Sequence, residues 1–499
     1  MSDIEKNVEA GVLVDDDSFR NDAGSLKANR AVVTAPTFEQ DIFAAQADRD
    51  DGDYVEFRTM GWVQAGFVAL AEGIALGTLS FPSIFMRLGI FGGVFATVTL
   101  GALAWLAASW MVDFKKRFPG TMNYADAAFV IYGRWGYRIV AIGMIAKSIG
   151  LAASHVLAGK IALNSMTSNA TCQLVFSIIT MIISVMLSLQ RHFGKLTIIS
   201  VISVTCIIAA SFITVVATGV QPDSHLMKAG KPIVWYAFNR NATLSDVIGA
   251  LTNICFTYGG GMACFTFASE MKKPEDFKKS YALVQIGSII VYVLVGSLIY
   301  VFGGQYTTSP ALTMTSHPVS TTAGVVAVNV GAKLLYVMLL RDSPLLTSGS
   351  WKAQFWWVGI VLGMWIVGWV LAELIPFFNS LLTIVSSLFS TWFAFGLASF
   401  LWFHLRKSAG KKLYGGWVVN SLLVCAVFMI VFSTAITPLG IYSAIDTIIA
   451  GVSRLCTERE LTRTPSSAKI PDDCLPKAQQ GHKMYNLRGT GSGVYQDSL

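Results

Sequence analysis

Long apolar runs separated by short polar links fill the chain from about residue 60 onward. A helix needs about 20 largely apolar residues to cross a bilayer. By that standard the sequence predicts about eleven spans: 61–85, 90–112, 138–163, 171–189, 196–220, 245–269, 280–303, 322–341, 353–374, 377–403 and 416–437. The expected architecture is an all-α polytopic membrane protein with three parts. Residues 1–58 form a polar tail, 59–452 a transmembrane domain, and 453–499 a second polar tail.

Two spans depart from a smooth apolar helix. The first carries Glu72-Gly73-Ile74-Ala75-Leu76-Gly77-Thr78 at its centre, with Pro82 soon after. Gly costs roughly 1 kcal/mol against Ala inside a helix, and Pro both clashes and removes a donor. The sixth carries Tyr258-Gly259-Gly260-Gly261 at the same relative place, five spans later. Broken backbone at membrane depth survives only where it lines a cavity or is buried in protein. Two breaks in register predict two inverted five-helix repeats whose first helices are both interrupted. Freed amides at such breaks suit a carboxylate, and freed carbonyls suit an ammonium. A zwitterionic amino acid meets both demands. The competing reading is close helix packing by small residues.

Composition agrees with the pattern: 54 % of residues are apolar and only 13 % charged, which excludes a set of soluble domains. The net charge of +7 is spread over short loops and does not suggest nucleic acid. Placing the N-terminus in the cytosol puts 17 Lys and Arg on the inner loops and 4 on the outer ones, a strong positive-inside bias. The triplets beginning at Asn169 and Asn241 then fall outside. The N-terminal tail has no cleavable signal peptide. It is acidic around Asp15-Asp16-Asp17 and Asp48 to Asp53, and it reads as a disordered cytosolic segment. Lys6 and Lys27 there are natural sites for ubiquitin-dependent endocytic control. Seven cysteines show no metal-type spacing. Cys206, Cys255, Cys264 and Cys425 read as core residues, while Cys456 and Cys474 could pair if their tail lies outside.

The stretches AEGIALGTLSFP, SHVLAGKIALN and FTFASEMKKPEDFKKS resemble the amino acid/auxin permease family, within it most of all the fungal neutral amino acid permeases of the methyltryptophan-resistance type. The likeness runs from about residue 55 to 450. It implies eleven spans, the amino acid/polyamine/organocation-type fold, and proton-driven uptake of neutral aliphatic and aromatic amino acids. No cofactor is implied beyond the proton gradient, and no metal. Carried over residue by residue, the substrate backbone falls on Gly73, Ile74, Ala75, Leu76 and Gly77 with Tyr258, Gly259, Gly260 and Gly261. The implied location is the plasma membrane, with the vacuolar membrane as the alternative.

Ionisable groups at membrane depth are functional candidates by default. Glu72 stands at the first break and suits either a proton acceptor or a partner for freed amides. Lys147 and Ser154 share one helical face, about 20° apart. Lys147 suits a fixed, titratable cation or a snorkelling or paired lysine. His155 titrates in the useful range, though a lone His on an apolar helix is commonly a satisfied structural group. Glu373 is placed at the outer interface, Lys160 is given no role, and Glu270 is expected to end span six among local ion pairs. The tryptophans of span nine read as packing and interface residues. Tyr258, beside the glycine run, suits either a cover over the substrate side chain or a gate to the site, and substrate contact is the favoured reading. The rival functions are an amino acid exchanger, a vacuolar exporter and a non-transporting nutrient sensor on the same scaffold. A membrane enzyme finds no phosphate loop, HExxH or paired Asp motif to support it.

Overall fold

The computed structural model describes residues 59–167, 171–189, 193–220, 233–307, 309, 351–375 and 377–463. The eighth expected span (322–341), both terminal tails apart from residues 453–463, and Asn169 lie outside them, as do the side chains of Glu72, Ala75, Leu76 and Cys206. The helices are α1 (Trp62–Leu88), α2 (Ile90–Arg117), α3 (Tyr124–Met166), α4 (Gln173–Ser188), α5 (Phe193–Val220), α6 (Leu244–Tyr258), α7 (Cys264–Glu270), α8 (Phe277–Gly303), α9 (Trp351–Leu374), α10 (Phe378–Val385), α11 (Leu397–Ser408) and α12 (Gly416–Arg463). Among the described residues, seven helical stretches are long and apolar enough to cross a membrane.

Three expectations change. The first helix is not interrupted: α1 runs unbroken for 27 residues with Pro82 inside it. Hydroxyls bond the carbonyls of the preceding turn, Ser80 to Gly77 (2.8 Å) and Ser83 to Ser80 (2.8 Å), and Thr78 bonds Ile74 in the same way. None of these acceptors is the Thr78 carbonyl, the group that Pro82 leaves without its helical donor. The glycines serve packing instead. A Cβ at Gly77 would stand 1.5 Å from Thr257 Cγ2, so α1 crosses α6 at contact distance there. The spacing of Gly73 and Gly77, four residues apart, is that of a helix-packing notch.

The third helix begins at Tyr124, well before the expected 138, and bends sharply at Gly133 (φ 67°, ψ −154°). That backbone is open to glycine and strained for any L side chain. The last helix runs on to Arg463 through Pro438. Thr434 and Thr437 bond back to Ile430 and Ser433 (2.8 and 2.9 Å) around the proline.

Helix six is interrupted as expected. Thr243 caps α6 reciprocally with Asp246, and the helix ends at Tyr258. A tighter 3₁₀ turn, Gly259–Ala263, leads into α7. Three glycines favour the turn because they lose the most entropy in a regular helix. Beyond α7 the chain pairs with the start of α1: Met60 N–H donates to the Glu270 carbonyl (3.1 Å) and Lys272 N–H to that of Met60 (2.9 Å). The two pseudo-equivalent helices are thereby tied at one end.

The remaining helices form a frame. Tryptophans of α9 pin it to α4 and the turn after it. Trp357 donates to the Leu189 carbonyl, Trp365 to the Ser188 hydroxyl and Trp369 to the Ser177 hydroxyl, at 2.9, 3.1 and 2.9 Å. Lys160 pairs with Glu373 at 3.1 Å across α3 and α9, so neither is a lone interface charge. Glu270 ends the second half of helix six, as expected, and is buried at 1 % exposure.

Candidate functional site

The interruption of helix six is met by α3 and by the segment joining α10 to α11. That segment contains two π-helical turns, Ser386–Ser390 and Trp392–Gly396, a distortion frequent at functional sites. Its hydroxyls fasten it to α6: Ser386 donates to the Thr252 carbonyl (2.6 Å) and Thr383 to Asn253 Oδ1 (3.1 Å). The π turn thereby brings Ser390 up to the glycine run. A Cβ at Gly259 would sit 2.9 Å from Ser390 Cβ and 3.2 Å from Lys147 Nζ, so only glycine fits.

Lys147 is the charge at this junction. It is 2 % exposed, its ammonium donates to the Gly259 carbonyl, and it lies 5.8 Å from the centre of the Phe393 ring. A buried ammonium is tolerated only where carbonyls and ring faces replace its water shell. The glycine run thus offers a carbonyl to a cation, as its sequence suggested, and a side chain of the protein itself takes it. Ser390 Oγ, also buried, finds no hydrogen-bond partner among the described residues.

Phe81 and Tyr292 supply aromatic surface next to the break. Their rings stack at 4.3 Å, and the Tyr292 hydroxyl faces the α1 notch, 3.5 Å from where a Cβ of Gly73 would be. Ile74 is buried in the same cluster. Its carbonyl accepts the Thr78 hydroxyl rather than standing free.

The other predicted residues are placed differently. Tyr258 turns toward α2: its hydroxyl donates to the Thr97 carbonyl (2.9 Å) and its ring meets Tyr292 edge-on at 6.0 Å. His155 lies about 12 Å further along α3 than Lys147, by helical rise. Its Nδ1 is 2.7 Å from the Leu151 carbonyl, and Nε2 finds no partner among the described residues. The Ser154 hydroxyl bonds back to Gly150 (2.9 Å). Gly260 and Gly261 are in the 3₁₀ turn, Gly261 against the Phe393 carbonyl. The Glu72 carboxylate lies outside the described side chains.

Sequence reasoning missed Tyr292, Ser390 and Phe393. Ser288, Tyr292 and Gly296 recur every fourth residue on the buried face of α8, a small and polar stripe in an otherwise apolar span. That stripe was a readable signal for Tyr292. The π turn has no comparable mark.

Residues 58–443 match the family described as "Transmembrane amino acid transporter protein". The chain belongs to this family. It is 30 % identical over 411 residues to the N amino acid transport system protein of Neurospora crassa, covering 79 % of this chain and 86 % of that one. A "Transmembrane transporter" of Gibberella moniliformis is 28 % identical over 420 residues, covering 80 % and 88 %. Two solved structures share the fold. MhsT in complex with L-phenylalanine has a TM-score of 0.52 at 11 % identity, over 77 % of this chain and 99 % of that one. The nucleobase-cation-symport-1 family transporter MHP1, closed with bromovinylhydantoin bound, has a TM-score of 0.50 at 16 % identity, over 86 % and 97 %. The expected class therefore stands: an integral, all-α polytopic membrane protein with an amino acid transporter's fold. The uninterrupted α1 is its departure from expectation.

Proposed function

We propose that this family member imports neutral aliphatic and aromatic amino acids by proton symport, alternating access to a site at the helix-six interruption. The observation that carries the reading is the Lys147 ammonium on the Gly259 carbonyl. A carbonyl freed by a broken helix is the natural acceptor for a substrate ammonium, and here a titratable cation of the protein holds it. Proton loss from Lys147, or movement of its ammonium away, changes what that carbonyl can bind. The site's preference for inward or outward states would change with it. The buried side chains packed around this junction, Ile74, Phe81, Tyr292 and Phe393, are uncharged, which favours a substrate with an uncharged side chain. Glu72 and His155 are the further candidates for the proton, and the plasma membrane, with a cytosolic N-terminus, is the proposed location.

The test is uptake of labelled phenylalanine, leucine and alanine into proteoliposomes, with and without an inward proton gradient. Accumulation that needs the gradient, collapses with a protonophore and ignores sodium supports the reading. Exchange without net accumulation would move the function to an exchanger, and amino acid binding without transport to a sensor.

A further inference from the structure

A groove of about 450 Å³ opens between α3 and α11; its inner wall includes Tyr124, whose hydroxyl donates to the Phe393 carbonyl (2.9 Å) that Gly261 packs against. Its walls include Ala128, Ile139 and Val140 of α3 and Leu397, Phe400 and Leu401 of α11. The bend at Gly133 makes it. The chain before the bend folds back so closely that a Cβ at Gly136 would lie 2.8 Å from the Ala128 carbonyl oxygen. The volume is within the range of ligand sites, and the apolar walls exclude a polar solute.

The rim has a different character. Tyr132 and Trp135 line the groove and stand 57 % and 72 % exposed. The Arg138 guanidinium lies 5.5 Å over the Trp135 ring, and Arg134 is one turn before it. Neither arginine is in an ion pair among the described residues. Lys407 is seven residues beyond Phe400, so it lies about 20° from it on the same face of α11. Contacts of Trp110 with Trp402 and of Phe114 with His404 show that α2 and α11 run side by side to one end. There α2 finishes in Lys115-Lys116-Arg117 and α11 in Arg406-Lys407. The groove thus opens toward the basic end of the molecule, with aromatic residues at headgroup level.

We propose that this groove binds an anionic glycerophospholipid, with an acyl chain between α3 and α11 and the phosphate on Arg134 and Arg138. Basic pockets between membrane helices draw such headgroups. The cationic rim separates this site from a surface that merely contacts bulk lipid.

The test reconstitutes the full chain in phosphatidylcholine vesicles in which a fixed fraction of lipid carries brominated acyl chains on either phosphatidylglycerol or phosphatidylcholine. Bromine quenches tryptophan at contact, and subtracting the signal of Trp135→Phe isolates Trp135. The proposal expects stronger quenching of Trp135 by the brominated anionic lipid, with each arginine giving about a fivefold preference. The exposed pair Arg134→Gln/Arg138→Gln should lose that preference while the protein keeps its fold. Equal quenching by the two lipids in the unaltered protein would overturn the proposal. So would displacement of the quencher by a sterol but not by unbrominated phosphatidylglycerol.

Discussion

Gly77→Ala tests the finding that α1 is a packed helix and not a broken one. The added Cβ would lie 1.5 Å from Thr257 Cγ2, 3.0 Å from Thr257 Cβ and 3.6 Å from the Tyr292 hydroxyl. Carbon atoms prefer separations of about 3.5–4.0 Å, so α1 and α6 must part by about 2 Å. Threonine cannot simply swing aside, because its χ1 is stiff and its hydroxyl is bonded to the Asn253 and Ile254 carbonyls (3.1 and 2.8 Å). Overpacking of this kind costs about 1–3 kcal/mol. Thr257→Ser removes the clashing methyl and keeps the hydroxyl, at a cost of about 1 kcal/mol for the lost burial. With both changes the nearest obstacle is Cβ at 3.0 Å, which a shift of a few tenths relieves. Unfolding of the purified chain in detergent should show the double variant less destabilised than the sum of the singles, by about 1–2 kcal/mol. Additivity within about 0.5 kcal/mol would refute the reasoning and reopen the interrupted form of α1.

Three further outcomes follow from the same geometry. Glu373→Gln should destabilise the chain by about 1–3 kcal/mol, because the Lys160 side chain is only 7 % exposed and loses its counter-charge; adding Lys160→Met should return part of the loss, and unfolding midpoints of the three variants check it. Tyr258→Phe should cost about 0.5–1.5 kcal/mol, the net worth of one hydrogen bond, because the Thr97 carbonyl keeps its partner within α2, with the relative uptake of phenylalanine and alanine unchanged. A changed ranking would show that the phenol meets substrate. Gly259→Ala should lower transport far more than stability, since the new methyl meets both Ser390 and Lys147, and uptake compared with unfolding midpoint separates the two.

What was legible in the sequence depended on whether one residue type carries one meaning. Three consecutive glycines at 259–261 can hardly stay in a regular helix, and the structure tightens there into a 3₁₀ turn. Gly73 and Gly77 were ambiguous, because a notch for a neighbouring helix and a break use the same residue. Only Thr257, 180 positions beyond Gly77, decides between them. The start of α3 was hidden because Asp126, Gly133 and Arg134 make residues 124–137 look like a loop. In fact the glycine serves a bend between two helical segments. Pro438 misplaced the end of the last helix in the same way, since the helix runs on through the proline and sequence hydropathy does not register it. Lys147 was legible as a candidate, but its carbonyl partner lies 112 residues away. A contact of that range is a property of topology, not of local pattern.

The central claim is that Lys147 couples proton movement to the helix-six site. Its most direct test compares Lys147→Met with the unaltered chain in proteoliposomes, measuring the accumulation ratio under an inward gradient of one pH unit and counterflow exchange without a gradient. One proton per amino acid sets a limit of about tenfold accumulation, since a tenfold ratio corresponds to ~1.4 kcal/mol. The account predicts that the variant falls to a ratio near unity while retaining exchange. Undiminished, protonophore-sensitive accumulation by Lys147→Met would contradict it.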